Sequence, residues 1–363
     1  MRALVLDGSP HLVHDRPTPA RRPGEALVRL RVAGVCDTDL QLARGYLGFR
    51  GVPGHEFVGE VIEADDPRWC GRRVVADMNA GCGECEECRA RGGHHCPNRT
   101  VLGIVGRDGA FAEVLAVPER CLVAVPDALD DDRAVFAEPL AAALHVLDEV
   151  DPRAPGRALV LGDGKLGQLI ARALASGGVD TTLVGHHRHK LALAEAAGLG
   201  ACLADALPSA LRGAPLVVDA TGSEAGLAAA IALTAPRGTV VVKTTVAGAI
   251  SVDLAPLVIH ELRLVGSRCG DLERAIEVLA AGAIDPRPLI EARYPLARAD
   301  EAFAHAGRRG AHKVLVATER DPPRWSRLSS WAKIFRQIAI AHPYVLSTPK
   351  KLRLLLSRDW RRE

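Results

Sequence analysis

Four cysteines fall within fifteen residues, Cys82, Cys85, Cys88 and Cys96, in the run GCGECEECRARGGHHCPN. Thiolates this close either bind one metal or pair as disulfides. The two-residue gaps suit a single tetrahedral ion, because each short turn aims two sulfurs at one point. Such near neighbours rarely pair with each other, and nothing else in the chain marks an oxidising compartment. The spacing predicts a structural Zn²⁺ whose four positions are all thiolates, a closed site that folds a lobe and does not catalyse. A second group is scattered along the chain: Cys36 in AGVCDTDL, His55 and Glu56 in VPGHEFVGE, and Glu138 in FAEPLAAAL. Each is a good Zn²⁺ ligand, and three protein ligands with one open position is the catalytic pattern. A His beside a Glu in a Gly/Pro turn is also an ordinary surface feature, and spacing alone leaves both readings open.

The run LVLGDGKLGQL carries Gly162, Gly164 and Gly167, with Lys165 and Leu166 inside the turn. A strand precedes this G-x-G-x-x-G and a helix follows it, the setting of a dinucleotide site. The glycines serve the tight turn, the close approach of a pyrophosphate and helix-to-strand packing, and the pyrophosphate sits on the helix N-terminus. A carboxylate at the end of the next strand would bind the adenosine ribose of NAD. Here TTLVG ends in Gly185, followed by His186, His187, Arg188, His189 and Lys190. The acid is missing and a basic cluster replaces it. Gly185 leaves room for a 2′-phosphate, and Arg188 with His186 or His187 neutralises it, which favours NADP over NAD against the alternative of a solvated loop. Thr221, closing LVVDATG, and Arg268, in VGSRCG beside Ser267, are assigned to the same cofactor, although a surface salt bridge explains Arg268 equally well. Lys243, beside Thr244 and Thr245, either anchors an anionic substrate or caps its strand.

Two kinds of element must position these residues. Residues 1–150 read as short β-rich runs such as ALVRLRVAG, FVGEVIEA and RRVVADM, punctuated by Gly, Pro and Asp, and ending in a helical stretch at 134–150. The Pro/Gly-dense DPRAPGR then reads as a linker. From Arg157 strands and helices alternate: RALVLG, KLGQLIARALASGG, TTLVG, HKLALAEAAG, LVVDATG, AGLAAAIALTA, TVVVKTT and LRLVGS. Such alternation means a parallel sheet covered on both faces. Residues 285–318 return to mixed strand and helix and complete the first domain.

GHEFVGEV, the four-cysteine lobe and the GDGKLG turn occur in that order, and from about residue 1 to about residue 318 the chain resembles the zinc-containing medium-chain alcohol/polyol dehydrogenase superfamily. The resemblance implies an α/β protein. A mostly-β GroES-like catalytic domain would span 1–150 and 285–318, with a zinc lobe at 80–98. A Rossmann doubly wound parallel sheet would span 151–284. Cys36 and His55 correspond to catalytic zinc ligands, and Glu56 to the glutamate beside that histidine, which coordinates the metal or yields to water. Glu138 corresponds to the residue closing the site, and a glutamate there resembles the sorbitol and threonine dehydrogenase branches. Thr38 matches the hydroxyl of the proton relay, and Asp39 an acid near the histidine ligand. Gln41 stands where several alcohol dehydrogenases carry a relay histidine, so water would serve as the proton exit. The implied reaction is hydride transfer between a secondary alcohol, polyol or amino alcohol and NAD(P), with two zincs per chain and a homo-oligomeric enzyme.

Composition bounds the alternatives. At 363 residues, 48% hydrophobic and 25% charged, the chain is long enough for two or three cored domains. Nine cysteines without an apolar leader fit the cytoplasm. The net charge of +2 implies no general attraction to nucleic acid, and Glu84, Glu86 and Glu87 would repel phosphate from the cysteine lobe. That balance hides a polarised end: residues 319–363 hold eleven Lys/Arg against four Asp/Glu, leaving 35 against 40 elsewhere. Within it Trp331, Ile334, Phe335 and Ile338 share one helical face, so this basic amphipathic extension is read as docking on protein, or on an anionic membrane surface. The competing functions are a non-catalytic nucleotide- or zinc-binding module and a zinc-free quinone-type reductase, which lacks both sets of ligands.

Overall fold

The computed structural model describes residues 1–150, 156–243 and 249–318, with only the backbone at Arg91. Thr244, Thr245 and the extension 319–363 lie outside the described residues. Among these residues the β-rich runs of the first half gather into a seven-stranded sheet. Its spatial order is Leu122–Ala124, Arg73–Ala76, Glu56–Glu63, Glu25–Gly34, Lys313–Ala317 and Ile290–Pro295, and Val114–Pro118 also pairs with Glu25–Gly34. The β-branched and leucine side chains of Glu25–Gly34 fit a pleated surface and bury Val28, Leu30 and Val32. Lys313–Ala317 comes from the far end of the chain and runs antiparallel to it, with Leu315 opposite Gly34. On its other side Gly34 lies opposite Glu56. Three distant segments thus meet in one row, and this row backs the candidate metal ligands.

The second sheet has six strands, all parallel: Gly200–Leu203, Asp180–Gly185, Arg157–Leu161, Ala214–Asp219, Thr234–Val242 and Arg263–Gly266 in spatial order. In chain order this is 3-2-1-4-5-6, with the direction of winding reversing beside Arg157–Leu161, where such sheets open a ligand crevice. The strands are nearly continuous apolar runs because both faces are covered. The helix Lys165–Ser176 lays Leu169, Ile170, Ala173 and Leu174 against the core. The helix anticipated over 134–150 is shorter, Ala137–Leu144 followed by a single tight turn. Pro139 falls in its first turn, where its missing N–H leaves no hydrogen bond unmade. The cysteine lobe holds the short helix Glu86–Arg91 beside three short strands, Asn79–Ala80, Thr100–Leu102 and Gly106–Arg107. No helix among the described residues is long and apolar enough to cross a membrane.

Candidate metal centres and dinucleotide cleft

Cys36 ends the bend after Glu25–Gly34 and caps the helix Asp37–Ala43, while His55 and Glu56 open the neighbouring strand. One ligand atom from each of Cys36, His55 and Glu56 lies within 4.8 Å of the others. Asp39, fully buried, stands behind them: its Oδ2 accepts the Cys36 N–H at 2.8 Å and its Oδ1 accepts the Gly54 N–H at 3.1 Å. The same Oδ1 is 3.6 Å from His55 Nδ1, which is buried and has no hydrogen-bond partner. Burial opposes charge on His55, yet Asp39 and Cys36 hold its pKa well above the ordinary value. A soft thiol, an imidazole and a carboxylate converging with an orphaned buried nitrogen among them fit a divalent metal. Thr38 sits in the first helical turn beside Cys36 and is half-buried.

Glu56 is almost fully buried and forms an ion pair with Lys313 Nζ. Gly34 makes this possible, because a Cβ there would overlap the Glu56 carboxylate. Glu138, in the first turn of Ala137–Leu144, is not within the tight cluster of three, but it is close enough for its charge to act on His55. It keeps some surface accessible, while burial and Glu56, opposed by His55, push its carboxyl up to about 7.

The four lobe cysteines converge as well, with all four sulfurs within 4.8 Å of one another and no disulfide formed. Backbone N–H groups of Glu84 and Cys85 directed at Cys82 draw its thiol down to about 6, the state a metal ligand needs. Next to the lobe, Arg268 donates to the His94 carbonyl at 3.1 Å and to Asn79 Oδ1. These bonds tie the end of the parallel sheet to the lobe and account for Arg268 without a ligand. Lys243 donates to Ser267 Oγ at 3.0 Å and to the Arg268 carbonyl, so of its two suggested roles the contacts match the cap. Burial pushes its ammonium down to about 8.

At the glycine turn, Gly162 has φ +110°, and a Cβ there would lie 2.6 Å from the Ala220 carbonyl oxygen. A Cβ at Gly167 would overlap the Gly162 carbonyl, whereas one at Gly164 would meet nothing within 4 Å. Two glycines are therefore required by packing, and the third faces open space at the N-terminus of Lys165–Ser176. Lys165 is buried and its Nζ bonds Asp37 Oδ1 at 2.7 Å, while Leu166 packs partly against the core. Thr221 directs its hydroxyl to Asp219 Oδ1 at 2.7 Å.

The strand end at Gly185 corrects the sequence reading. The space a Cβ at Gly185 would take is filled by the Asp163 side chain. Asp163 Oδ2 accepts the N–H groups of His186 and His187, both at 2.7 Å, and the carboxylate lies 3.1 Å from His187 Nδ1. The acid thought missing from this strand end is supplied by the glycine turn. Burial works against its charge, but these donors hold the carboxyl below its ordinary value. His186 and Arg188 remain exposed. Sequence reasoning missed Asp163 and Lys313. The acid between two glycines was a visible signal for the first; for Lys313, 257 positions from its partner, there was none.

The family model of the alcohol dehydrogenase GroES-like domain matches residues 22–127, and that of zinc-binding dehydrogenase matches residues 166–283. The chain is 32% identical over 291 residues to D-altritol 5-dehydrogenase of Agrobacterium fabrum, covering 76% of this chain and 86% of that one. It is 29% identical to 2-dehydro-3-deoxy-L-galactonate 5-dehydrogenase of Pseudoalteromonas atlantica, covering 82% and 92%. Among solved structures it is similar to a zinc-binding dehydrogenase from Sinorhizobium meliloti 1021 bound to NADP, with TM-score 0.78 and 28% identity, covering 87% of this chain and 98% of that one.

Proposed function

This chain belongs to the zinc-containing medium-chain alcohol/polyol dehydrogenases, and on that premise we propose that it transfers hydride between a secondary alcohol, polyol or amino alcohol and NAD(P). The observation that carries the reading is the convergence of Cys36, His55 and Glu56 on one point beside a dinucleotide turn. Residues 1–150 and 285–318 form the catalytic domain, and 151–284 the cofactor domain. Cys36, His55 and Glu56 would hold a catalytic zinc, with Glu138 closing the site, and Cys82, Cys85, Cys88 and Cys96 would hold a structural one. A zinc in the first site supplies Lewis acidity that makes a bound alcohol easier to deprotonate. Asp39 fixes the Cys36 backbone and faces His55, so it positions two ligands. Thr38 accepts the substrate proton and passes it to water, since Gln41 is no proton carrier. The glycine turn offers helix N–H groups to the cofactor's pyrophosphate.

NADP is favoured over NAD, because His186 and Arg188 are exposed at the strand end while the one carboxylate there is committed to backbone donors. A homo-oligomer is favoured by the edge strand Arg263–Gly266. Leu264 is exposed on it, and Val258 and Ile259 on the preceding helix are 77% and 71% exposed. Nine unpaired cysteines support a cytoplasmic setting. The extension 319–363 is read from its basic amphipathic pattern as a protein contact, with an anionic membrane as the second choice.

The test is a panel of alcohols and carbonyls with both cofactors, followed at the nicotinamide absorbance band, alongside a zinc count. Two zincs per chain and a Cys36→Ser variant that loses turnover are expected. Full turnover in that variant would refute the catalytic assignment. No bound zinc would favour the quinone-type reading.

A further inference from the structure

We infer that Asp37 and Lys165 form a clasp between the two sheets, and that Asp37 is a positioning residue that fixes the turn of Cys36 and Thr38 against the glycine turn. The inference rests on the dehydrogenase reading only for its effect on rate.

Lys165 Nζ donates to Asp37 Oδ1 at 2.7 Å, across 128 positions of chain. Asp37 opens the helix Asp37–Ala43, which follows the strand Glu25–Gly34 of the first sheet. Lys165 opens the helix Lys165–Ser176, which follows Arg157–Leu161 where the second sheet reverses its winding. The acid suits its place, because a carboxylate at a helix N-terminus is favoured. The lysine does not, because an ammonium there opposes the helix dipole, and the first turn of its own helix holds no acid. Its side chain is also only 9% exposed. A cation withdrawn from water and set against its own helix needs an anion beside it, and this one comes from the other sheet. Asp37 keeps 71% of its side chain exposed, so packing does not fix it and Lys165 does.

The clasp holds the turn on which the chemistry is placed. Cys36 and Thr38 flank Asp37. Asp39, in the same helical turn, accepts the Cys36 N–H and stands 3.6 Å from His55 Nδ1. Movement of Asp37 therefore carries the candidate metal ligand Cys36 and the candidate proton acceptor Thr38 with it. Arg268 and Arg274 also join the two halves, through His94, Asn79 and Asp148, but none of those acceptors adjoins Cys36. Hydride transfer is sensitive to such spacing, and a shift of about 1 Å costs on the order of 10²-fold in rate.

Amide hydrogen exchange of the full chain, without added cofactor, reads the clasp independently of turnover. Lys165→Met is expected to speed exchange in the helix Asp37–Ala43 about tenfold, and Asp37→Asn to speed it as much over residues 162–169, so each change is felt in the other half. Arg274→Gln, which cuts a different link, is expected to leave both segments as in wild type. At saturating cofactor, kcat is expected to fall about tenfold in each variant and equally in Asp37→Asn/Lys165→Met, with the KM for alcohol little changed. The double variant strands no charge, so it reports on the clasp even where a single variant unfolds. Lys165→Arg keeps the charge and is expected to retain protection and kcat within about threefold. Exchange that changes only in the mutated half, or losses of kcat that multiply in the double variant, overturns the clasp. Exchange that changes across the halves in a chain inactive on every substrate upholds the clasp and defeats the dehydrogenase reading instead.

Discussion

The Asp163 carboxylate accepts two backbone N–H groups and faces His187, so truncating it strands two partly buried donors. Asp163→Ala is expected to lose about 1–3 kcal/mol of stability at neutral pH, measured by urea unfolding. The native carboxyl titrates below its ordinary value, so the unfolded chain binds its proton first as pH falls. Its contribution is therefore present above the ordinary value near 3.8 and disappears as pH drops through the lower native one. Wild type and variant should converge in acid, and a gap independent of pH would refute this account. Lys313 poses the opposite problem. In the metal-free protein Lys313→Met leaves Glu56 as a buried, unpaired carboxylate and is expected to cost about 3–5 kcal/mol, by the same measurement. The convergence of Cys36, His55 and Glu56 was legible because chemistry limits which residues can bind metal. Their supporting charge was not, since pairing across 257 positions leaves no local pattern.

Elements were legible where a period ran long. The helix Lys165–Ser176 followed from its apolar spacing, and five of the six parallel strands from short apolar runs, while the edge strand Gly200–Leu203 was not anticipated. The helix expected over 134–150 stops at Leu144 because composition alone carries no stop signal, and tertiary packing sets the end. The cysteine lobe is a different sort of element. Three of its four cysteines are only half-buried, so on the proposed reading sulfur-to-metal bonds would stand in for an apolar core there. Chelation is expected to open residues 80–98 to amide hydrogen exchange while the helix Lys165–Ser176 stays protected. Unchanged protection of the lobe after the metal is removed would show that its own packing suffices. The Arg268 bonds to His94 and Asn79 should loosen with it, since both acceptors belong to the lobe region.

At the scale of the whole molecule, an edge strand flanked by exposed Val258 and Ile259 invites a second copy. Val258→Asp/Ile259→Asp is expected to lower the sedimenting mass at micromolar concentration with the thermal unfolding of each subunit little changed. An unchanged mass would move the interface elsewhere. Lys313–Ala317 lies between Glu25–Gly34 and Ile290–Pro295, so the first sheet is completed by residues synthesised after every strand of the second. A ribosome making this protein thus releases an entire parallel sheet, ready to mature, while the earlier half still waits for its middle strand. The site where the reaction is placed is then finished only after every strand of the parallel sheet has been made, and premature termination anywhere before residue 313 would leave Glu56 without its counter-charge.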